Sequence, residues 1–547
     1  MKRKNVMVLL MSIMIMSTSI TGCGGKAYSE TAADVSTSTG NVSVSSDSYY
    51  EEAVCMDAMA STETNSSMVK TETISESENM NTEEYSSIKE PGFKAVENEP
   101  LSTFSADVDT ASYSNIRRML EDGYTLDEIP SGAVRIEEML NYFSYDYNLP
   151  SGEEPFGVTT LMGDCPWNED AKLLQIGLKT QDIDFSEAPS SNLVFLLDVS
   201  GSMYSEDKLP LLQKSFSLLV DELTEKDRVS IVTYASNDAV ILEGASGDEK
   251  SKIAEAINSL EAGGSTYGSA GIEAAYKLAE EYFIEGGNNR IILATDGDLN
   301  VGVSSESELE KLVTEKKESG VFLSVLGFGT GNIKDNKMET LADCGNGNYA
   351  YIDSVNEAKK VMVEEMGATL VTVAKDVKFQ VEFNPAYVKG YRLLGYENRT
   401  LATEDFDNDK KDAGEIGAGH TVTALYEIIP VDSKQEIAST DLKYQDAEPV
   451  QGVENGEWMN LKIRYKEPDE DESKLCEYPI SEDAYSQKQS EDFYFAAAVA
   501  EFGLVLRDSE YKKDASLDNV EKLLGQVNTK ADDYKYEFEY LVKRLNK

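Results

Sequence analysis

Between residues 188 and 368 short apolar strands alternate with amphipathic helices, and nothing else in the 547-residue chain constrains its fold as strongly. Asn192 to Leu197, Val229 to Val232, Arg290 to Ala294 and Val321 to Leu326 read as strands buried on both faces. Helices lie between them, one carrying Leu212, Phe216, Leu219 and Leu223 on a single face. This alternation predicts an α/β fold with a doubly wound, mostly parallel sheet covered on both sides.

On either side of that segment the period changes. Ile136, Met139, Leu140 and Phe143 mark a helix face, whereas Leu174, Ile176 and Leu178 alternate with polar residues as strands do. After residue 370 the period is again two: Val377, Phe379, Val381 and Phe383, then Met459, Leu461, Ile463 and Tyr465. That pattern predicts antiparallel sheet buried on one face. From 491 the chain reads as helical, with Tyr534, Phe538, Leu541 and Leu545 on one stripe. The expected organisation is an α+β flank at 101–187, the doubly wound fold at 188–368, a β-rich flank at 369–490 and C-terminal helices at 491–547. Both flanks carry short alternating strands, so they are expected to form one composite domain with the central fold inserted into it. Leu101 to Ser105 reads as a poor strand, and Asp109 as the N-cap of the helix that follows.

The N-terminus bears on location. Lys2, Arg3 and Lys4 precede an apolar run from Val6 to Met16, the pattern of an export signal and too short for a permanent span. Ile20-Thr21-Gly22-Cys23, closing the signal segment 1–23, resembles a bacterial lipobox, which implies that Cys23 is lipidated and becomes the mature N-terminus. Residues 24–100 carry 15 acidic and 4 basic side chains among many Ser and Thr, and are expected to be a flexible acidic tether. Together these predict a lipoprotein held on the membrane of a bacterial cell envelope, outside the cytoplasm, through its lipid anchor only.

Charge excludes several functions. The formal net charge is −50, of which −42 falls on residues 101–547, so binding to nucleic acid or to anionic headgroups is disfavoured. A single histidine, His420, leaves no two-His zinc site and only one possible centre for a Ser-His-Asp triad. Cys55, Cys165, Cys344 and Cys476 form no C-x-x-C pair; they allow three full disulfide pairings or remain thiols.

Against that background one constellation stands out. The first buried strand ends in Asp198-Val199-Ser200-Gly201-Ser202, a D-x-S-x-S array. In open parallel sheets the carboxyl ends of strands bind ligands, so a carboxylate and two hydroxyls there converge on one point. Gly263-Gly264-Ser265-Thr266-Tyr267-Gly268 presents a hydroxyl before a helix, and Thr295-Asp296-Gly297-Asp298 closes another strand with a second carboxylate. In this order the motifs resemble the metal-ion-dependent adhesion site of von Willebrand factor type A domains. The resemblance implies a divalent cation held by Asp198, Ser200, Ser202, Thr266 and Asp296, and a protein partner presenting Asp or Glu to complete it. All-oxygen ligands favour Mg²⁺, with Mn²⁺ or Ca²⁺ as alternatives, over zinc. The segments Asp107 to Tyr113, Arg135 to Met139, Cys165 to Asn168, Gly395 to Arg399 and Gly417 to His420 also look like the flanks of bacterial von Willebrand A lipoproteins.

Other motifs fit less well. Asp107-x-Asp109 lacks the apolar strand of a phosphatase, and Asp405, Asp407, Asp409 and Asp412 resemble a calcium loop whose glycine and glutamate positions hold Lys410 and Ile416. Gly327-x-Gly329-x-Gly331 lacks the third glycine of a dinucleotide fingerprint. The expected function is therefore cation-dependent capture of a protein and not catalysis, since no His, Cys or raised-pKa carboxylate is expected beside the oxygen ligands as base or nucleophile. Two rival readings are a structural or assembly factor for exported proteins and a metal-dependent hydrolase.

Overall fold

The computed structural model describes residues 81–547 except 153, 184–187, 236–238, 264–267, 298–305, 366–368, 439–454 and 469. The chain enters through strands β1 (Lys94–Ala95) and β2 (Leu101–Ser105), helices α1 (Ala111–Glu121) and α2 (Ile136–Asn141), and the hairpin of β3 (Phe156–Asp164) with β4 (Lys172–Thr180). A six-stranded sheet follows, built from β5 (Ser191–Asp198), β6 (Arg228–Tyr234), β7 (Ala239–Ser246), β8 (Asn288–Thr295), β9 (Phe322–Phe328) and β10 (Tyr349–Ile352) in the order β10-β9-β8-β5-β6-β7. Every pairing in it is parallel except that of β7 with β6.

The sequence of β5 explains why this sheet is covered on both faces. Leu193, Phe195 and Leu197 point into one core, against Leu212, Phe216 and Leu219 of α3 (Leu209–Glu222). Val194 and Leu196 point into the other, with Ile272, Ala275 and Tyr276 of a helix spanning Gly268–Glu281. The rings of Phe195 and Phe216 lie 4.7 Å apart, edge to face. A strand apolar at every position has no face left for water, which is why alternation is lost here and kept in the flanks.

Strands from the two ends of the chain are shared between two further sheets. In one, β4 pairs with β14 (Thr421–Pro430), and β12 (Val388–Leu394) continues the sheet to β1. In the other, β11 (Thr372–Phe383) takes β2 on one side and β15 (Glu457–Lys466) on the other, followed by β16 (Lys474–Ser481); β13 (Gly414–Gly417) joins at the start of β11. Their inner faces share one core, in which Phe104 of β2 stacks on Phe379 of β11 at 4.9 Å. The C-terminal helices, Glu491–Leu506, Leu517–Leu524 and Asp533–Leu545, pack with α1 and α2 around Phe143, Trp167 and Phe538.

Three expectations need correction. Leu101–Ser105 is a full strand, because its partner β11 supplies the apolar surface its own sequence lacks. Asp109 does not cap α1: Thr110 holds the N-cap position without a side-chain bond, and Asp109 instead accepts from the Tyr349 backbone at 2.7 Å. Residues 81–100, expected as the end of the tether, belong to the folded body: Val96 is buried and Lys94 and Ala95 pair with β12. Cys165, Cys344 and Cys476 are free thiols, while Cys23 and Cys55 lie outside the described residues. Among the described residues no helix is long and apolar enough to cross a membrane.

A cavity of about 250 Å³ lies where β13 meets the central fold, lined by Asp107, Asp109, Asp343, Arg399 and Glu415 among others. Glu415 accepts one hydrogen bond from Asn346 at 3.2 Å, and its second oxygen has no protein partner. Burial, then the nearby Asp376 and Asp412, push its carboxyl up to about 8 from an ordinary 4.5. The folded state thus keeps a proton that the unfolded chain has released, and stability falls as pH rises from about 4.5 to about 8. Glu415→Gln is expected to raise the melting temperature at pH 8.5 by roughly 2–4 °C and to leave it nearly unchanged at pH 4.5. Thermal unfolding at the two pH values checks this; an equal shift at both would contradict it.

Candidate metal centre

β5 and β8 are parallel neighbours, paired through Leu197 and Ala294, so the residues that follow these positions leave the sheet at the same edge. Asp198 is the last residue of β5 and Asp296 follows β8, and both side chains are fully buried. The turn after β5 is folded around the first carboxylate. Ser200 donates its backbone N–H to Asp198 Oδ1 at 2.8 Å, and the hydroxyls of Ser200 and Ser202 share a hydrogen bond of 2.9 Å. A short 3-10 turn, Gly201–Tyr204, is pinned by Met203, whose side chain is entirely buried, while Tyr204 beside it is 84% exposed.

Gly263, the first residue of the glycine-rich segment, reaches the same place. Gly263 donates its N–H to the Val199 carbonyl at 2.8 Å, which ties the start of that loop to the D-x-S-x-S turn. Thr266 itself lies outside the described residues. Gly297, directly after Asp296, has φ +101°, and a Cβ there would fall 2.5 Å from the Lys334 nitrogen, so only glycine suits this turn.

Several members of the site were given no role by the motif reading. Thr295 donates to Asp198 Oδ2 at 3.1 Å and accepts from Gly297 N–H at the same distance, linking the two carboxylate-bearing turns. Lys208 donates to Asp296 Oδ2 at 2.8 Å, and Asn332 reaches Asp296 Oδ1 at 3.5 Å. The loop carrying Asn332 is bonded in turn to residues near the described N-terminus. Thr82 N–H donates to the Gly331 carbonyl at 2.9 Å, Gly331 N–H to Glu83 at 2.9 Å, and Glu84 N–H to the Ile333 carbonyl at 2.9 Å. Only Thr295 had a local signal, as part of the strand-end T-D-G. Lys208 and Asn332 arrive from other loops, and spacing alone does not announce them.

Contrary to expectation one carboxyl here is raised: burial, and secondarily the charge of Asp296, push Asp198 up to about 6 against its bonds from Ser200. Among the described residues no three His, Cys, Asp or Glu side chains converge as a metal cluster. A cation at this edge would therefore rest on two carboxylates completed by hydroxyls, an all-oxygen set suited to Mg²⁺, Mn²⁺ or Ca²⁺. The other acidic candidates do not converge. Asp407 pairs with Arg464 at 2.5 Å, Asp412 with Lys317 at 2.5 Å, and Asp409 accepts from Ser473 at 2.5 Å. His420 borders a separate cavity of about 290 Å³ that shares no lining residue with this edge, and burial holds its imidazole below the ordinary value.

Comparison with known proteins agrees with this architecture. The von Willebrand factor type A domain family matches residues 192–364, a von Willebrand factor family residues 79–175, and the C-terminal family of the uncharacterized protein YfbK residues 368–547. YfbK of Escherichia coli (strain K12) is 44% identical over 475 residues, covering 85% of this chain and 81% of its own length. The uncharacterized protein sll0103 of Synechocystis is 30% identical over 190 residues, 34% of this chain and 43% of that protein. A solved von Willebrand factor type A structure from Catenulispora acidiphila covers 74% of this chain and 91% of its own, with a TM-score of 0.39 and 14% identity.

Proposed function

Since the chain belongs to the YfbK family of bacterial von Willebrand factor type A proteins, we propose that its central domain captures an acidic group of a protein partner through a divalent cation. Type A domains generally mediate protein–protein interactions and commonly bind such a cation. The observation that carries the reading is the meeting of Asp198, Ser200, Ser202 and Asp296 at one sheet edge, to which Gly263 is also bonded. In this reading the five residues hold Mg²⁺, with Mn²⁺ or Ca²⁺ as substitutes. The bound ion adds local positive charge to a protein whose net charge is −50. The serine hydroxyls are neutral ligands, so the ion stays short of negative charge and a partner carboxylate completes it.

Tyr204 extends the reading from the ion to the surface around it. An aromatic ring 84% exposed beside the metal-facing turn has the chemistry of an interface anchor. Residues 188–368 are the inserted type A domain in this proposal, and Cys23 carries the lipid that holds the protein outside the cytoplasm.

The test is a crosslinking pull-down from the native surface with Mg²⁺ or with EDTA. Wild type is expected to retain a partner only with the metal, the Asp198→Ala/Ser200→Ala variant not at all, and Tyr204→Ala at least tenfold less. All three are expected to melt cooperatively. Capture that survives EDTA, or metal-dependent turnover of a phosphoester or peptide library, would overturn the proposal.

A further inference from the structure

Lys208 brings a fixed positive charge to the same sheet edge, and sequence motifs give it no role. Its ammonium donates to Asp296 Oδ2 at 2.8 Å, with the two side chains 8% and 0% exposed. Surface lysines pair loosely and swing away into water; this one is held. Its backbone precedes α3, where its carbonyl accepts from Leu212 N–H at 2.8 Å and its N–H donates to the Ser205 carbonyl at 3.0 Å. Its aliphatic stem crosses Gly329, and a Cβ at that glycine would lie 2.2 Å from Lys208 Cγ and 2.4 Å from Cε. Gly329 has φ +75°, and its carbonyl accepts from the Tyr351 hydroxyl at 2.8 Å, so the loop that leaves this channel open is itself fastened. A helix start, a glycine channel and a buried carboxylate together place one ammonium at the edge where the metal ligands meet.

We propose that Lys208 is a tethered cation that holds Asp296 in the metal-free protein, so that a divalent ion binds only in competition with it. The inference rests on the metal reading above and adds to it a resident competitor. Two buried carboxylates without any cation would repel each other across a low-dielectric edge, and the ammonium relieves that repulsion. The same charge opposes an incoming divalent ion. With the ion and the ammonium both present, positive charge exceeds that of Asp198 and Asp296, and a partner's carboxylate restores the balance. Lys208 thereby makes the cation weakly held in the free protein and more tightly held when an acidic partner is present.

The experiment is Mn²⁺ titration, followed by electron paramagnetic resonance of the free ion, on the full folded body of wild type, Lys208→Met and Lys208→Arg. Lys208→Met removes the charge and keeps most of the stem; Lys208→Arg keeps the charge. The methionine variant is expected to bind Mn²⁺ at least tenfold more tightly than wild type, and the arginine variant close to wild type. Without metal, Lys208→Met is expected to melt lower than wild type, and saturating Mg²⁺ to close most of that gap. If wild type binds Mn²⁺ and Lys208→Met binds it no more tightly, the competitor role is wrong and the metal reading stands. If none of the folded proteins binds Mn²⁺, both are wrong.

Discussion

Arg399→Met is expected to cost about 3–5 kcal/mol of folding stability, the penalty of leaving buried carboxylates without their partner. The guanidinium meets two buried carboxylates and a third, Asp343, that is 38% exposed. Its Nη2 lies 2.9 Å from Asp109, its Nη1 2.6 Å from Asp343 and its Nε 3.3 Å from Asp107, with the arginine side chain 12% exposed. Asp107 and Asp109 come from the N-terminal flank, Asp343 from the central domain and Arg399 from the C-terminal flank, so one residue joins all three parts. Methionine fills part of the volume and supplies none of the charge. Burial and Asp107 already push the Asp109 carboxyl well up, and Arg399 is the group that pulls it down. Without the arginine the Asp109 and Asp343 carboxyls take up protons more readily in the folded state, so the variant loses stability as pH rises. Urea unfolding at pH 5 and pH 8 is therefore expected to show the smaller deficit at pH 5. Adding Asp107→Asn is expected to recover part of the loss. A deficit below about 1 kcal/mol at both pH values would mean that the cluster is solvated and not structural.

The parts of this molecule that were legible in its sequence are those in which one segment carries its own signal. The apolar runs around Phe195, Ile231 and Ile292 identify the central sheet because parallel strands buried on both faces leave no polar alternation. Asp198, Ser200 and Ser202 are legible because one turn holds all three, and Asp296 because it closes a strand. Where a residue owes its place to a distant partner, the local pattern is silent or misleading. Leu101–Ser105 is a strand because β11 lies beside it. Lys378 and Gln380 alternate with apolar residues as solvent-facing positions would, yet both are buried. Lys378 reaches the Asn408 carbonyl at 2.6 Å and Gln380 the Thr103 hydroxyl at 3.1 Å, contacts made across long stretches of chain. Lys208 and Asn332, beside Asp296, left no local signal for the same reason.

Expressed alone, residues 369–547 are expected not to fold, and this is the largest effect the architecture implies. β4 lies between β3 and β14, and its Leu173, Leu174, Ile176 and Leu178 are each no more than 1% exposed. At about 1.5–3 kcal/mol for each buried side chain, these four contribute roughly 6–12 kcal/mol, as much as the whole net stability of many domains. Deleting them also bares one edge of β14 over eight residues, including Val422, Tyr426 and Ile428, which invites edge-to-edge aggregation. Replacing residues 188–368 with a short glycine-serine linker is expected to do far less, because the chain leaves and re-enters the flanks at nearly the same point. Gly419 N–H donates to the Gln181 carbonyl at 3.0 Å and Ala418 N–H to the Val371 carbonyl at 2.9 Å, so the two ends of the insertion are bonded to adjacent residues. The linker variant loses pairs such as Arg117 with Asp353 but keeps both flank sheets. Far-UV circular dichroism and urea unfolding are expected to show a cooperative β-rich transition for the linker variant and none for the isolated C-terminal piece. Cooperative unfolding of residues 369–547 alone would show that the shared sheets are not needed for folding.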